Sequence, residues 1–152
     1  MIHTATIPGI PIGKGRPRSA LRKTTKGKTF IHHYTPEKTR SWESMAAFYL
    51  MRYTEKMVGP LKLQYVAIFP RPQRMLTNKW PNRREPHTDK PDVDNIAKAL
   101  MDAIVNSGLV ADDAQFVALE GAKLYADRIE DPHITCIISS YSNPVLQGPQ
   151  SP

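Results

Sequence analysis

Two aspartates one residue apart, Asp92 and Asp94, form the densest chemistry-bearing group in the sequence together with Lys98, Asp102 and the pair Asp112-Asp113. Hard divalent cations such as Mg²⁺ take oxygen ligands and keep positions for water and substrate phosphate. Two carboxylates at that spacing, with a third returning after a helix, can supply a partial oxygen cage for such an ion. A metal held there polarises a phosphoryl oxygen, lowers the pKa of an attacking water and offsets charge in the transition state. Lys98 is suited to stabilising developing negative charge rather than to acting as a base.

Each piece alone has a plainer reading. Asp-x-Asp also occurs in solvated turns, helix caps, calcium loops and sugar-nucleotide transferases. Asp112-Asp113 reads as a turn after a helix, and Lys98 as an i+4 ion pair with Asp94 or Asp102, worth a few tenths of a kcal/mol. Other chemistries find no support. The twelve-residue calcium loop ending in Glu is absent, GIPIGKGRPR lacks the ending of a nucleotide-binding P-loop, and there is no Gly-x-Ser-x-Gly. His3, His32, His33, His87 and His133 sit in unrelated contexts and read as structural or solvated. Cys136 alternates with Ile134 and Ile138 and reads as core; a lone cysteine forms no internal disulfide, and no Cys/His spacing suggests zinc. Trp42 and Tyr49, at helical spacing, read as core rather than as a base-stacking platform.

The elements that must position these acids follow from periodicity. Residues 95–106 (NIAKALMDAIVN) predict the clearest helix, with Gly108 as its stop and Asp92 or Asp94 as its N-cap. Asp94, Lys98 and Asp102 then fall on one polar stripe, with Ile96, Ala99, Leu100 and Ala103 opposite. Upstream, residues 2–7 predict a strand, and PGIPIGKGRPR a loop. Residues 29–34 predict a short strand, so that 14–34 is a basic loop or hairpin. Thr35 as N-cap and Pro36 at the first position open a second helix, with Trp42, Met45, Ala46, Tyr49, Leu50 and Tyr53 on its apolar face and an end near Met57. Residues 61–69 alternate as a strand. Residues 70–91, rich in proline, predict a long polar loop of functional or mobile character. Two strands, 116–125 and 133–141, joined by a polar turn at 128–131, suggest an antiparallel hairpin. The order indicates an α+β (mixed α/β) domain over 1–141, with a small mixed sheet and two main helices, and a flexible tail over 142–152.

Charge narrows the partner. The 152 residues carry a net charge of +7 and a pI near 9.6, a strong field for polyanions. Nine basic residues lie in 14–40 and six in 71–90, fifteen of the 21 in all. The carboxylates concentrate in 85–131, so a basic surround encloses an acidic centre. No apolar run approaches the roughly 18 residues of a membrane-spanning helix, and the N-terminus lacks the pattern of a secretory signal. The expectation is a soluble, reduced, cytoplasmic protein.

The combined pattern resembles the RusA family of Holliday junction resolvases. It runs Lys90-Pro-Asp92-x-Asp94-Asn95, then Lys98, Asp102-Ala103 and Asp112-Asp113-x-Gln115. Lys14-x-Arg16-Pro17-Arg18 and Tyr34-Thr35-Pro36-x-Lys38-Thr39 agree upstream, so that the resemblance spans roughly residues 8–140. It implies a magnesium-dependent endonuclease, with Mn²⁺ able to substitute, that acts as a homodimer on four-way DNA junctions in a bacterial or phage-infected cell. Carried over by position, Asp92, Asp94 and Asp113 would hold the metal, and Lys98 would match the family's essential helix lysine. Lys14, Arg16, Arg18, Lys38 and Lys90 would contact DNA. Ala111 stands where the family often has a bulky residue and Ala114 where it often has serine; neither removes a metal ligand. Symmetry supports the dimer independently: a junction is two-fold and needs two cuts, whereas the chain has one carboxylate cluster. Two other readings compete. A DNA-binding module with a structural acidic cluster shares the basic segments but predicts no cleavage, and an enzyme of nucleotides or sugar nucleotides predicts indifference to DNA.

Overall fold

The structure, a computed structural model, describes residues 1–16 and 18–143. From residue 144 on, the tail expected over 142–152 lies outside the described residues, as does Pro17 of the basic motif.

Strands β1 (Ile2–Pro8), β4 (Leu61–Phe69), β5 (Glu85–Pro86), β6 (Phe116–Tyr125) and β7 (His133–Ser140) make one mixed sheet among the described residues, in the order β1-β7-β4-β6-β5. Strands β2 (Arg18–Lys23) and β3 (Thr29–Tyr34) form a separate hairpin. Helix α1 spans Glu37–Leu50 and α2 spans Val93–Asn106. The fold is α+β with a mixed sheet and two main helices, as the sequence predicts.

Alternation builds the core. Leu61, Leu63, Tyr65 and Ala67 of β4 are buried, and their register partners Ile138, Cys136 and Ile134 on β7, with Ala5 and Ile7 on β1, share that face. Onto this core cluster pack Trp42, Ala46 and Leu50 of α1 and Ile96, Ala97, Ala99, Leu100, Ala103 and Ile104 of α2. The six α2 side chains follow helical spacing, so the opposite stripe with Asp94, Lys98 and Asp102 remains accessible. Cys136 is core, and its burial pushes the thiol pKa up to about 11. None of the helices among the described residues is long and apolar enough to cross a membrane.

Two local expectations are corrected. β6 and β7 do not form a hairpin: both pair with β4, β6 in parallel and β7 antiparallel. The most apolar strand thereby gains a partner on each side, and residues 126–132 cross its end. Helix α1 stops at Leu50 instead of near Met57, because Tyr53 turns its hydroxyl onto the Thr4 carbonyl of β1 and Met57 leaves to bridge Val110. The 70–91 segment is ordered around one guanidinium. Arg71, nearly buried, donates to the carbonyls of Ala126 (3.0 Å), Met75 (3.2 Å), Pro81 (3.0 Å) and Arg83. Arg84 pairs with Glu130, and Arg128 donates to the carbonyls of Thr77 and Trp80. Some of the basic charge of this segment therefore holds the loop to the β6–β7 crossover.

Candidate functional site

Helix α2 begins two residues earlier than the sequence suggests, with Asp92 at the N-cap position and Asp94 in the first turn. The Asp92 carboxylate makes no capping bond; Lys90 Nζ lies 2.6 Å from its Oδ2. That hydrogen bond, with help from Lys123, holds the Asp92 carboxyl below the usual carboxylate range. The Asp94 carboxylate is two-thirds exposed and lies 3.5 Å from Lys98 Nζ, one turn on. Asp92, Asp94 and Lys98 thus share one end of α2, and all three carry accessible head groups.

Asp113 does not join them within the chain. Fourteen residues of α2 rise about 21 Å, and the chain beyond turns at Gly108 with a positive φ before reaching Asp112. Asp112 serves as a cap: its carboxylate accepts from Ala114 N (2.8 Å), and Gln115 Oε1 accepts from Ala111 N (3.1 Å) and Asp112 N (3.3 Å). The Asp113 carbonyl accepts from Phe116 N, while its carboxylate makes no hydrogen bond or ion pair among the described residues. It lines a concavity of about 370 Å³ with Lys14, Glu43, Asp102, Asn106 and Asp112. Asp94 precedes Asp102 by two turns, about 12 Å along the axis. Among the described residues no three His, Cys, Asp or Glu side chains converge as a metal-binding group. Within one chain, then, the carboxylates of Asp92 and Asp94 stand together at the start of α2, and Asp113, the third expected ligand, lies beside Asp102 and Asn106 nearer its end.

The basic residues divide likewise. Arg18, Lys38 and Lys90 line one open groove of about 520 Å³, walled by Pro11, Pro36 and Pro91, and Lys90 links it to Asp92. Arg16 is exposed beside it. Gly13 and Gly15 let the loop lie close: a Cβ at residue 13 would meet Pro91, and one at residue 15 would meet Pro36. Lys14 points away from this groove. Its amide donates to Asn95 O (2.7 Å), and its ammonium bonds Glu43 Oε1 (2.8 Å) and Asp102. Burial pulls the lysine pKa down, but its bonds to Asp102 and Glu43 outweigh that and hold it above the ordinary value.

Sequence reasoning missed four residues that shape this region: Glu43, Tyr65, Gly121 and Lys123. Glu43 had a signal, a charge among the buried helix positions Thr39, Trp42, Ala46 and Leu50. The other three act across strands and left no local signature.

Comparison with known proteins adds to the geometry. The family model described as "Endodeoxyribonuclease RusA" matches residues 8–135. The chain is also similar to "Uncharacterized protein YqaN" of Bacillus subtilis (strain 168), 28% identical over 144 residues, covering 90% of this chain and 95% of that protein.

Proposed function

The chain belongs to the RusA endodeoxyribonuclease family, and on that footing we propose that it resolves four-way DNA junctions by paired, divalent-metal-dependent nicks, working as a homodimer inside the cell. The observation that carries the reading is the groove of Arg18, Lys38 and Lys90 leading to the exposed carboxylates of Asp92 and Asp94. A phosphate backbone lying in the groove is held by these cations, with Arg16 alongside. Two carboxylates suit Mg²⁺, which keeps several positions for water and phosphate; Mn²⁺ can replace it. A cation held there by Asp92 and Asp94 would polarise the scissile phosphate and offset its charge. Lys98, tethered to Asp94, holds a positive charge beside the same phosphate for the leaving oxygen.

The third ligand calls for a second chain. Asp113 lies beside Asp102 and Asn106 and not with Asp92 and Asp94, so a two-fold partner set antiparallel to α2 would bring each chain's Asp113 to the other's Asp92-Asp94 pair. Two shared sites per dimer match two cuts per junction.

The test uses a synthetic four-way junction of varied crossover sequence and a matched duplex, each with Mg²⁺ and with EDTA. Symmetric nicks in the junction alone, only with metal, are expected. Asp94→Asn should bind the junction with unchanged affinity in EDTA and fail to cleave; cleavage by that variant would sink the site assignment. Tight binding without nicks in Mg²⁺ or Mn²⁺ would favour the binding-module reading.

A further inference from the structure

Asp92 and Asp94 both have exposed carboxylates at the start of a helix, where fraying is easiest. Two side chains from the sheet beneath reach the backbone that carries them. Tyr65, buried in β4, donates from its hydroxyl to the carbonyl of Val93, the residue between the two aspartates, at 2.6 Å. To reach that carbonyl the ring crosses β6 at Gly121, its register partner. A Cβ at residue 121 would fall well inside van der Waals contact with Tyr65 Cε1, Cζ and Oη. Two residues further along β6, and so on the same face, Lys123 Nζ donates to Pro91 O (2.8 Å) and Asp89 O (2.5 Å). The carbonyls on either side of Asp92 are therefore both gripped by side chains rising from the sheet.

We propose that Tyr65, seated on Gly121, and Lys123 are positioning residues that fix the Asp92-Asp94 carboxylate pair for a divalent cation. The inference rests on the reading of that pair as metal ligands. Neither side chain touches the reacting atoms; each acts through the backbone. Burial, then the nearby Asp94 charge, pushes the Tyr65 hydroxyl up to about 12. Lys123 is the only one of the two that can be replaced by another cationic donor, which gives the test a rescue arm.

The experiment is Mn²⁺ binding to the full chain, followed by the loss of free-ion EPR signal, beside thermal melts of the same samples. Asp94→Asn should remove the site. Tyr65→Phe and Lys123→Met should each raise the Mn²⁺ half-saturation about 10-fold, the low end for groups that orient metal ligands. Lys123→Arg should keep most of the affinity. Gly121→Ala should lose both melting temperature and affinity. Adding Tyr65→Val to it makes room for the new Cβ but removes the hydroxyl, and should not recover the affinity. Lower melting temperatures in Tyr65→Phe and Lys123→Met, with unchanged Mn²⁺ half-saturation, would overturn the proposal and leave the metal reading standing. Unchanged binding in Asp94→Asn would overturn the metal reading and the proposal together.

Discussion

Lys14 Nζ lies 2.8 Å from Glu43 Oε1 and bonds Asp102 as well, so one ammonium ties the loop after β1 to both helices. Glu43 is nearly buried, while Lys14 and Asp102 keep partial access to solvent. Removing one partner of a largely buried pair leaves the other charge uncompensated. Lys14→Met should therefore cost about 1 to 3 kcal/mol, since Lys14 and Asp102 retain some solvent. A drop of several degrees in melting temperature is expected, and Glu43→Gln added to Lys14→Met should recover part of it. Equal melting temperatures for wild type and Lys14→Met would show that the triad is not a brace.

The groove makes a different demand of its cations. Each phosphate neutralised on a duplex contributes about 0.9 to the slope of log K against log salt concentration. Arg18→Ala and Lys38→Ala should each lower that slope by about 0.9 for junction binding in EDTA. Lys14→Met should change it much less, because its ammonium faces Glu43 and Asp102. A slope unmoved by both groove variants would remove DNA from the groove.

A third expectation concerns pH. His87 is nearly buried, its ring tilted against Phe69 with centroids 4.1 Å apart and against Tyr125 at 4.5 Å, and its Nδ1 has no hydrogen-bond partner among the described residues. Burial, then the charge of Lys123, lowers its pKa from 6.5. Below that value the unfolded chain binds a proton that the folded chain resists, so stability is full above pH 6.5 and falls as pH drops toward the depressed folded value. Asp89, Asp92, Glu120 and Glu130 also favour the folded state, but their pKa values lie below 3.8 for the aspartates and 4.5 for the glutamates, so their contribution disappears at lower pH. Urea midpoints should decline between about pH 7 and pH 5, and His87→Phe should flatten that decline. An identical slope in the variant would place the titration elsewhere.

How much of this was legible in the sequence depends on the range of the interaction. Helix α2 and strand β4 could be read because their apolar periods are set residue by residue. The end of α1 could not, since Tyr53 continues the helical spacing of Tyr49 and Leu50 while its hydroxyl is drawn to β1. A polar turn between two strands looks the same whether the strands pair or straddle a third, and so β6 and β7 suggested a hairpin. At the site, the pairing of Asp94 with Lys98 was visible as i+4 spacing. The seating of Tyr65 on Gly121 was not, because those residues are 56 positions apart and meet only through sheet register. The rigid helix between Asp94 and Asp113 was itself predicted; its consequence is that a carboxylate following a straight rod is carried to the far end.

That separation gives the sharpest test of the dimer. If each site combines Asp92 and Asp94 of one chain with Asp113 of the other, Asp94→Asn and Asp113→Asn chains should complement when mixed. In a mixed dimer one site carries both substitutions, while the other has an intact Asp94 from one chain and an intact Asp113 from its partner. Random exchange makes half the dimers mixed, each with one working site of two, so about a quarter of wild-type sites should be active. Those dimers hold a single site, so they should nick one strand of a junction per encounter instead of cutting two in concert. Sites contained within one chain predict no activity at any mixing ratio, because every chain then carries a defect. An affinity tag on the Asp94→Asn chain that captures untagged Asp113→Asn chain shows that subunits have exchanged, so silence in the cleavage assay, with exchange complete, would confine each site to a single chain.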